Sequence, residues 1–225
     1  MFQLMEPNIL KAGYGLLAVG TVFTAPFVNQ GCETEKVYHI VDISSSYNYR
    51  LQNMGGAAPH LPVGQITAPD GVPLYIGEEG NNVWHSEYAA ADSTAPVTLC
   101  LEVQYSGATE VHTAINTWWG QAGASTSVLE LYGSEGTVDR VELIGDVDIR
   151  DYLSSSFTNT INETTIINAV LAGSGQGNEV RIDKQKIVLS AAFAKEDLTR
   201  ICLTDTGSSG YQRAYLVAAT VLANQ

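Results

Sequence analysis

Three consecutive runs between Val97 and Tyr132 alternate apolar and polar residues with a period of two, a pattern that suits strands and defeats helices. In VTLCLEVQY, Val97, Leu99, Leu101, Val103 and Tyr105 fall on one face, and Thr98, Cys100, Glu102 and Gln104 on the other. A helix would scatter those apolar residues around its circumference. TEVHTAINTWW sets Val111, Thr113 and Ile115 against His112, Ala114 and Asn116. TSVLELYGSEGT sets Val128, Glu130 and Tyr132 against Leu129 and Leu131, then breaks at Gly133 and Gly136, where a turn is needed. Each run is expected to be a half-buried strand.

The same grammar extends along the chain. KVYHIVDI opposes Val37, His39 and Val41 to Tyr38, Ile40 and Asp42, and GVPLYI follows the Pro69-Asp70-Gly71 turn. TVDRVELIG, TTIINAVLA, EVRIDKQKIVLS, TRICLTD and YQRAYLVAATVL are each bounded by Gly, Ser, Asn or Asp. Only AFAKEDLTR reads as a helical turn. YLVAATVL is apolar on both faces, which predicts a central strand covered on both sides. Many short strands with turn chemistry between them specify an all-β chain, an antiparallel two-sheet β-sandwich or jelly roll. A length of 225 residues suits one such domain, placed at residues 37–225 behind an N-terminal arm or signal-like extension at residues 1–36.

Within that extension, Ala12 to Val28 is apolar and interrupted by glycines. It is read first as an ordered arm or extra strand that packs against a neighbouring subunit, with a signal-like segment as the next reading. Three internal glycines and Pro26 argue against a transmembrane span. The net charge of -13 argues against nucleic acid, whose binding rests on Lys and Arg neutralising phosphates. Only 16% of the residues are charged, so Ser, Thr, Asn, Gln and Gly cover much of the surface. Such a surface suits an extracellular, cell-surface or virion-surface protein. Of the three cysteines, Cys32 falls in a loop, and the spacing fits neither a disulfide framework nor a CxxC metal site. Cys100 and Cys202 lie in strand-like runs; they either meet across the sandwich, both pointing inward, or remain free thiols.

The ordered set VDISSSYNYRL (41–51), LPVG (61–64), DGVPLYI (70–76), VHTAINTWWG (111–120), VLELYGSEGT (128–137), VELIGDVDIRDYL (141–153) and LVAATVL (216–222) resembles the galactose-binding-like, discoidin-related β-sandwich modules. The resemblance covers most of Val37 to Leu222. It departs from the family at Tyr132-Gly133-Ser134-Glu135-Gly136, which replaces a simpler turn, and at Tyr152, where such modules often carry Trp. It implies a sandwich fold and a role in recognition, adhesion or assembly.

Candidate ligand-binding residues are aromatic. Trp118 and Trp119 are adjacent, so in a regular strand they face opposite ways and at most one fills the core. The other is a candidate platform on which the C–H face of a sugar stacks. Trp84 and His85 offer a second aromatic with a hydrogen-bonding neighbour; the plainer reading places all the tryptophans in the core or an interface. Asp146, Asp148 and Asp151 have spacings compatible with oxygen ligation of calcium, but the complete loop motif is absent and a solvated strand end suits them better. No nucleophile elbow, HExxH or phosphate-cradling loop is present. The expected function is therefore a non-catalytic module for carbohydrate or surface recognition, without cofactor or metal, whose partner is a glycan or cell-surface ligand. The alternative is a structural subunit of a virion, as coat or decoration protein, or of an extracellular filament. In that case residues 1–30 are the arm that makes a homo-oligomer.

Overall fold

The structure, a computed structural model, describes residues 34–56, 61–89, 95–119, 122–153, 161, 165–170, 179–207 and 212–225. They belong to one compact unit, Thr34–Gln225; the apolar N-terminal run lies outside the described residues. The alternating runs become strands: β1 (Lys36–Ile40), β2 (Gly64–Thr67), β3 (Pro73–Ile76), β4 (Trp84–His85), β5 (Val97–Ser106) and β6 (Glu110–Trp118). The second half supplies β7 (Ser125–Gly133), β8 (Val138–Ile144), β9 (Thr165–Val170), β10 (Glu179–Val188), β11 (Asp197–Asp205) and β12 (Arg213–Asn224). There is no α-helix among the described residues, and hence none long and apolar enough to cross a membrane.

The fold is an antiparallel β-sandwich. One sheet has the order β1-β12-β6-β10-β9, with β4 pairing β12 as well; the other has the order β5-β11-β7-β8. Between β5 and β12 the chain crosses from sheet to sheet at each connection except β7 to β8 and β9 to β10, as in a jelly roll. The hairpin β2-β3 forms a small third layer.

That third layer explains the apolar character of β12 on both faces. Leu216, Ala219, Val221 and Ala223 point between the two sheets, among Leu99, Leu101, Val111, Ile115, Leu129, Leu131 and Ile201. Tyr215, Val217 and Ala218 point the other way, into an apolar layer with Leu51, Leu74, Ile76, Val83 and Ile182. The Thr220 hydroxyl donates to the Pro73 carbonyl at 2.6 Å and helps to tie the hairpin down. The same cover corrects the expectation for β6, which is buried on both faces, His112, Ala114 and Asn116 included. AFAKEDLTR holds a helical turn only at its start: a 3-10 turn occupies Ala191–Ala194, and Asp197 already opens β11.

β6 and β10 pair regularly from Glu110 to Ala114, and beyond that point they part. The segment Arg150 to Leu153 enters the gap, bridging Thr117 of β6 on one side and Val180 of β10 on the other. Side chains replace the lost ladder bonds. The amide group of Gln185 accepts from the Ile115 N–H at 3.2 Å and donates to its carbonyl at 2.9 Å. Asn116 donates to Asp183 at 2.7 Å and accepts from the Asp183 backbone N–H at 2.8 Å. These bonds satisfy buried main-chain groups that would otherwise carry a desolvation cost.

Cys100 and Cys202 form a disulfide, but they do not meet across the sandwich. They are register partners on β5 and β11, in one sheet, with Cα atoms 4.1 Å apart. Cys100 alternates with Leu99 and Leu101, which take the core face, so the bridge lies on the outward side.

Candidate functional site

The four aromatic candidates gather at the end of the six-stranded sheet where β6 stops and β4 joins β12. Register fixes which way each points. Leu216 pairs with Trp84 and Tyr215 with His85, so Trp84 faces the inter-sheet core and His85 the outer layer. Trp84 is 4% exposed and His85 fully buried, so neither offers a surface platform. Both are packing residues of a strand whose two residues are too few to show a period. Asn48 completes its pairing, accepting from the His85 N–H at 2.7 Å and donating to its carbonyl at 2.9 Å.

His85 sits within an aromatic cage. Its ring lies edge-on to Trp118 at 5.4 Å and Tyr49 at 5.4 Å, and stacked over Tyr215 at 6.0 Å. Tyr152, edge-on to Tyr215 at 6.1 Å, extends the cluster. Burial, and then the charge of Arg213, push the His85 imidazole down to about 4, so at neutral pH it is an uncharged filler. Its Nδ1 accepts from the Glu87 N–H at 3.3 Å.

Trp118 is the last residue of β6, half-buried against the outer apolar layer. Trp119 lies outward, as the opposite-face argument anticipated, but for a different reason. It has left the strand: its φ of 63° is left-handed, where bulky residues are rarely found. Its backbone N–H donates to the Asp151 carboxylate at 2.6 Å. The other oxygen of Asp151 accepts from the Leu153 N–H at 2.6 Å, so a buried carboxylate clamps the turn. The residue is 49% exposed.

Below this turn lies the gap between β6 and β10. The Arg150 guanidinium forks onto Asp183, Nε at 2.8 Å and Nη2 at 2.9 Å, in a buried, charge-assisted pair. Arg213, cross-strand partner of Trp118, is buried beside the cage. Sequence reasoning missed Asp151 as a clamp and Arg213 altogether. The available signal was an arginine opening a strand otherwise apolar on both faces.

The remaining carboxylates do structural work. Asp148 accepts from the Ile144 N–H at 3.0 Å, closing the turn after β8, and Asp146 holds a left-handed position in that turn with φ 59°. No group of three or more His, Cys, Asp or Glu among the described residues is arranged to hold a metal ion. A shallow groove of about 250 Å³ on the outward face of the four-stranded sheet is lined by Pro96, Val128, Glu130, Arg140, Thr204 and Thr206. It carries no aromatic side chain, and Arg140 is already paired with Glu142 at 2.6 Å. Of the four aromatic candidates, Trp119 alone is exposed.

No protein-family model matches the chain, and no curated protein matches it in sequence.

Proposed function

We propose that this chain is a non-catalytic β-sandwich recognition module that binds carbohydrate at the sandwich end carrying Trp118 and Trp119. The observation that carries the reading is the Trp119 turn: a half-exposed indole held in left-handed backbone by a buried carboxylate. Such a conformation costs about 1–2 kcal/mol and persists where the surroundings over-determine it. A fold that needed only a turn there would do better with glycine. An indole fixed in this way loses little entropy on stacking against a sugar ring. The disulfide supports an extracellular or cell-surface setting, because such bridges persist in oxidising compartments.

Glycan-array binding followed by titration with Trp119→Ala tests the reading. Loss of about tenfold or more in affinity is expected, the scale of one aromatic stacking contact. Binding indifferent to Trp119→Ala, or no glycan bound at all, sinks it.

A structural-subunit reading draws on a different observation. Tyr38 and Ile40 are 39% and 37% exposed on β1, an edge strand among the described residues, and unpaired edges template association. A homo-oligomer joined there would dissociate on Ile40→Lys, seen as a fall in mass by sedimentation. A wild-type monomer removes this reading.

A further inference from the structure

Three cations are buried among the described residues: Arg150, Lys184 and Arg213. Two have carboxylates, Arg150 forking onto Asp183 and Lys184 meeting Asp70 at 2.8 Å. Arg213 has none. It is 5% exposed, and no acidic side chain among the described residues forms an ion pair with it. Its Nη1 donates to the Gln212 carbonyl, next to it in the chain.

An uncompensated buried guanidinium is among the costliest arrangements a fold can retain. The carboxylates nearest it among the described residues, Asp151 and Asp205, are bonded to the backbone N–H groups of Trp119 and Ala214 and form no ion pair with the guanidinium. Arg213 lies beside the aromatic turn. Trp118 is its cross-strand partner on the same face, Trp119 follows at the exposed turn, and the uncharged His85 ring lies against Trp118. A guanidinium presents a planar fork that matches one carboxylate; a phosphate dianion in a protein of net charge -13 would call for several cations.

We infer that Arg213 anchors a carboxylate of the ligand, so that the carbohydrate recognised at this end is a uronic-acid-bearing glycan whose ring stacks on the Trp118–Trp119 turn. The inference rests on the carbohydrate reading above and names its substrate class. The protein's overall negative charge repels an acidic polymer at long range. Affinity therefore depends on the short-range Arg213 contact, and adding salt to about 0.15 M leaves it undiminished, unlike adsorption to a basic surface.

The test is calorimetric titration of the full chain with oligogalacturonate, its methyl ester and a galactan oligosaccharide of equal length. Wild type should bind the acid at least about tenfold more tightly than the ester, the worth of one charged hydrogen-bonded contact. Arg213→Gln should weaken the acid about tenfold more than it weakens the ester and so abolish the preference, whereas Trp119→Ala should weaken acid and ester alike. Equal binding of acid and ester by wild type overturns the inference, as does Arg213→Gln weakening both equally. Polyglutamate bound as tightly as the uronate indicates a bare anion site and also overturns it. If neutral galactan alone binds, the uronate inference fails and the recognition reading stands; if no glycan binds, both fail. A measurement without ligand adds a second check. Arg213→Met should melt at a higher temperature than wild type, because an uncompensated charge has been removed. A lower melting temperature, or failure to fold, shows that the fold itself satisfies the guanidinium and overturns the proposal.

Discussion

A tryptophan in left-handed backbone separates the requirements of folding from those of binding at a single position. Trp119 has φ 63° and half its surface in solvent. Replacing it with alanine or glycine removes the same indole but differs in the Cβ, which is what clashes in this conformation. Trp119→Gly should therefore be about 1 kcal/mol more stable than Trp119→Ala in chemical denaturation, with both lacking ligand affinity. Equal stability would mean that the turn relaxes freely and stores no strain. His85 gives a second residue-scale test. Its folded value is about 4 against an ordinary 6.5, so between those limits the unfolded chain binds a proton that the folded one refuses. The resulting stability is complete above about pH 6.5 and declines as pH falls toward 4, by roughly 3 kcal/mol in all. His112, also lowered, mainly by burial, adds to the same slope. Asp70 and Glu110 are lowered from ordinary values of 3.8 and 4.5, so what they contribute is lost only in more acidic solution. Urea denaturation at pH 7 and 5 should show the decline in wild type and a flatter dependence in His85→Gln. A profile unchanged by that substitution would refute the assignment.

At the scale of elements, the ion pairs of Arg150 and Lys184 do different jobs, and the exposure of their partners decides their worth. Arg150 and Asp183 fill the gap where β6 and β10 part, both almost fully buried and bonded in a fork that Asn116 completes. Asp183→Ala strands a buried guanidinium and should cost roughly 3–5 kcal/mol. Lys184 and Asp70 tie the β2-β3 turn to the sheet, but Asp70 is half in water. Asp70→Asn should therefore cost only about 1 kcal/mol, since solvent screens that pair. Thermal melts of both variants check the ordering, and a larger loss for Asp70→Asn would contradict it. The same elements show what was legible in the sequence. The alternation in β5 and β8 was readable because one face of each meets solvent, and β12 because both its faces are apolar. β6 was misread as half-buried. Its outer residues His112, Ala114 and Asn116 look like a solvated face, but their cover comes from residues distant in the chain: Leu51, Leu74 and Ile76 over Ala114, Tyr38 and Lys184 at His112, and Arg150 and Asp183 at Asn116. β4 was hidden by its shortness, so Trp84 and His85 looked like surface candidates. The Trp119 turn was hidden because strand alternation carries no sign of where a strand ends in left-handed backbone. The burial of Arg213 was invisible because the lack of a charged partner is a fact of space.

For the molecule as a whole, the disulfide joins residues 102 apart, and the loop it closes contains β6 to β10, which belong to both sheets. Two effects of that bridge can be weighed. Locally it adds little, because Cys100 and Cys202 are already register partners within a ladder that runs from Asp197–Ser106 to Asp205–Val97. Globally it restricts the unfolded chain, and a loop of this length is worth up to about 4–5 kcal/mol on chain-entropy grounds, with measured bridges nearer 2–4. The paired strands therefore keep the folded state while the bridge sets its margin. The double substitution Cys100→Ser, Cys202→Ser should retain the native far-ultraviolet circular dichroism spectrum and its affinity at the Trp119 end. Its stability should fall by about 3 kcal/mol, a drop in melting temperature of roughly 10 °C for a chain of this size. Loss of the β spectrum in the double variant would mean that the β5-β11 ladder depends on the bridge for its formation. An unchanged melting temperature would mean that the unfolded chain is compact enough for a long cross-link to cost it nothing.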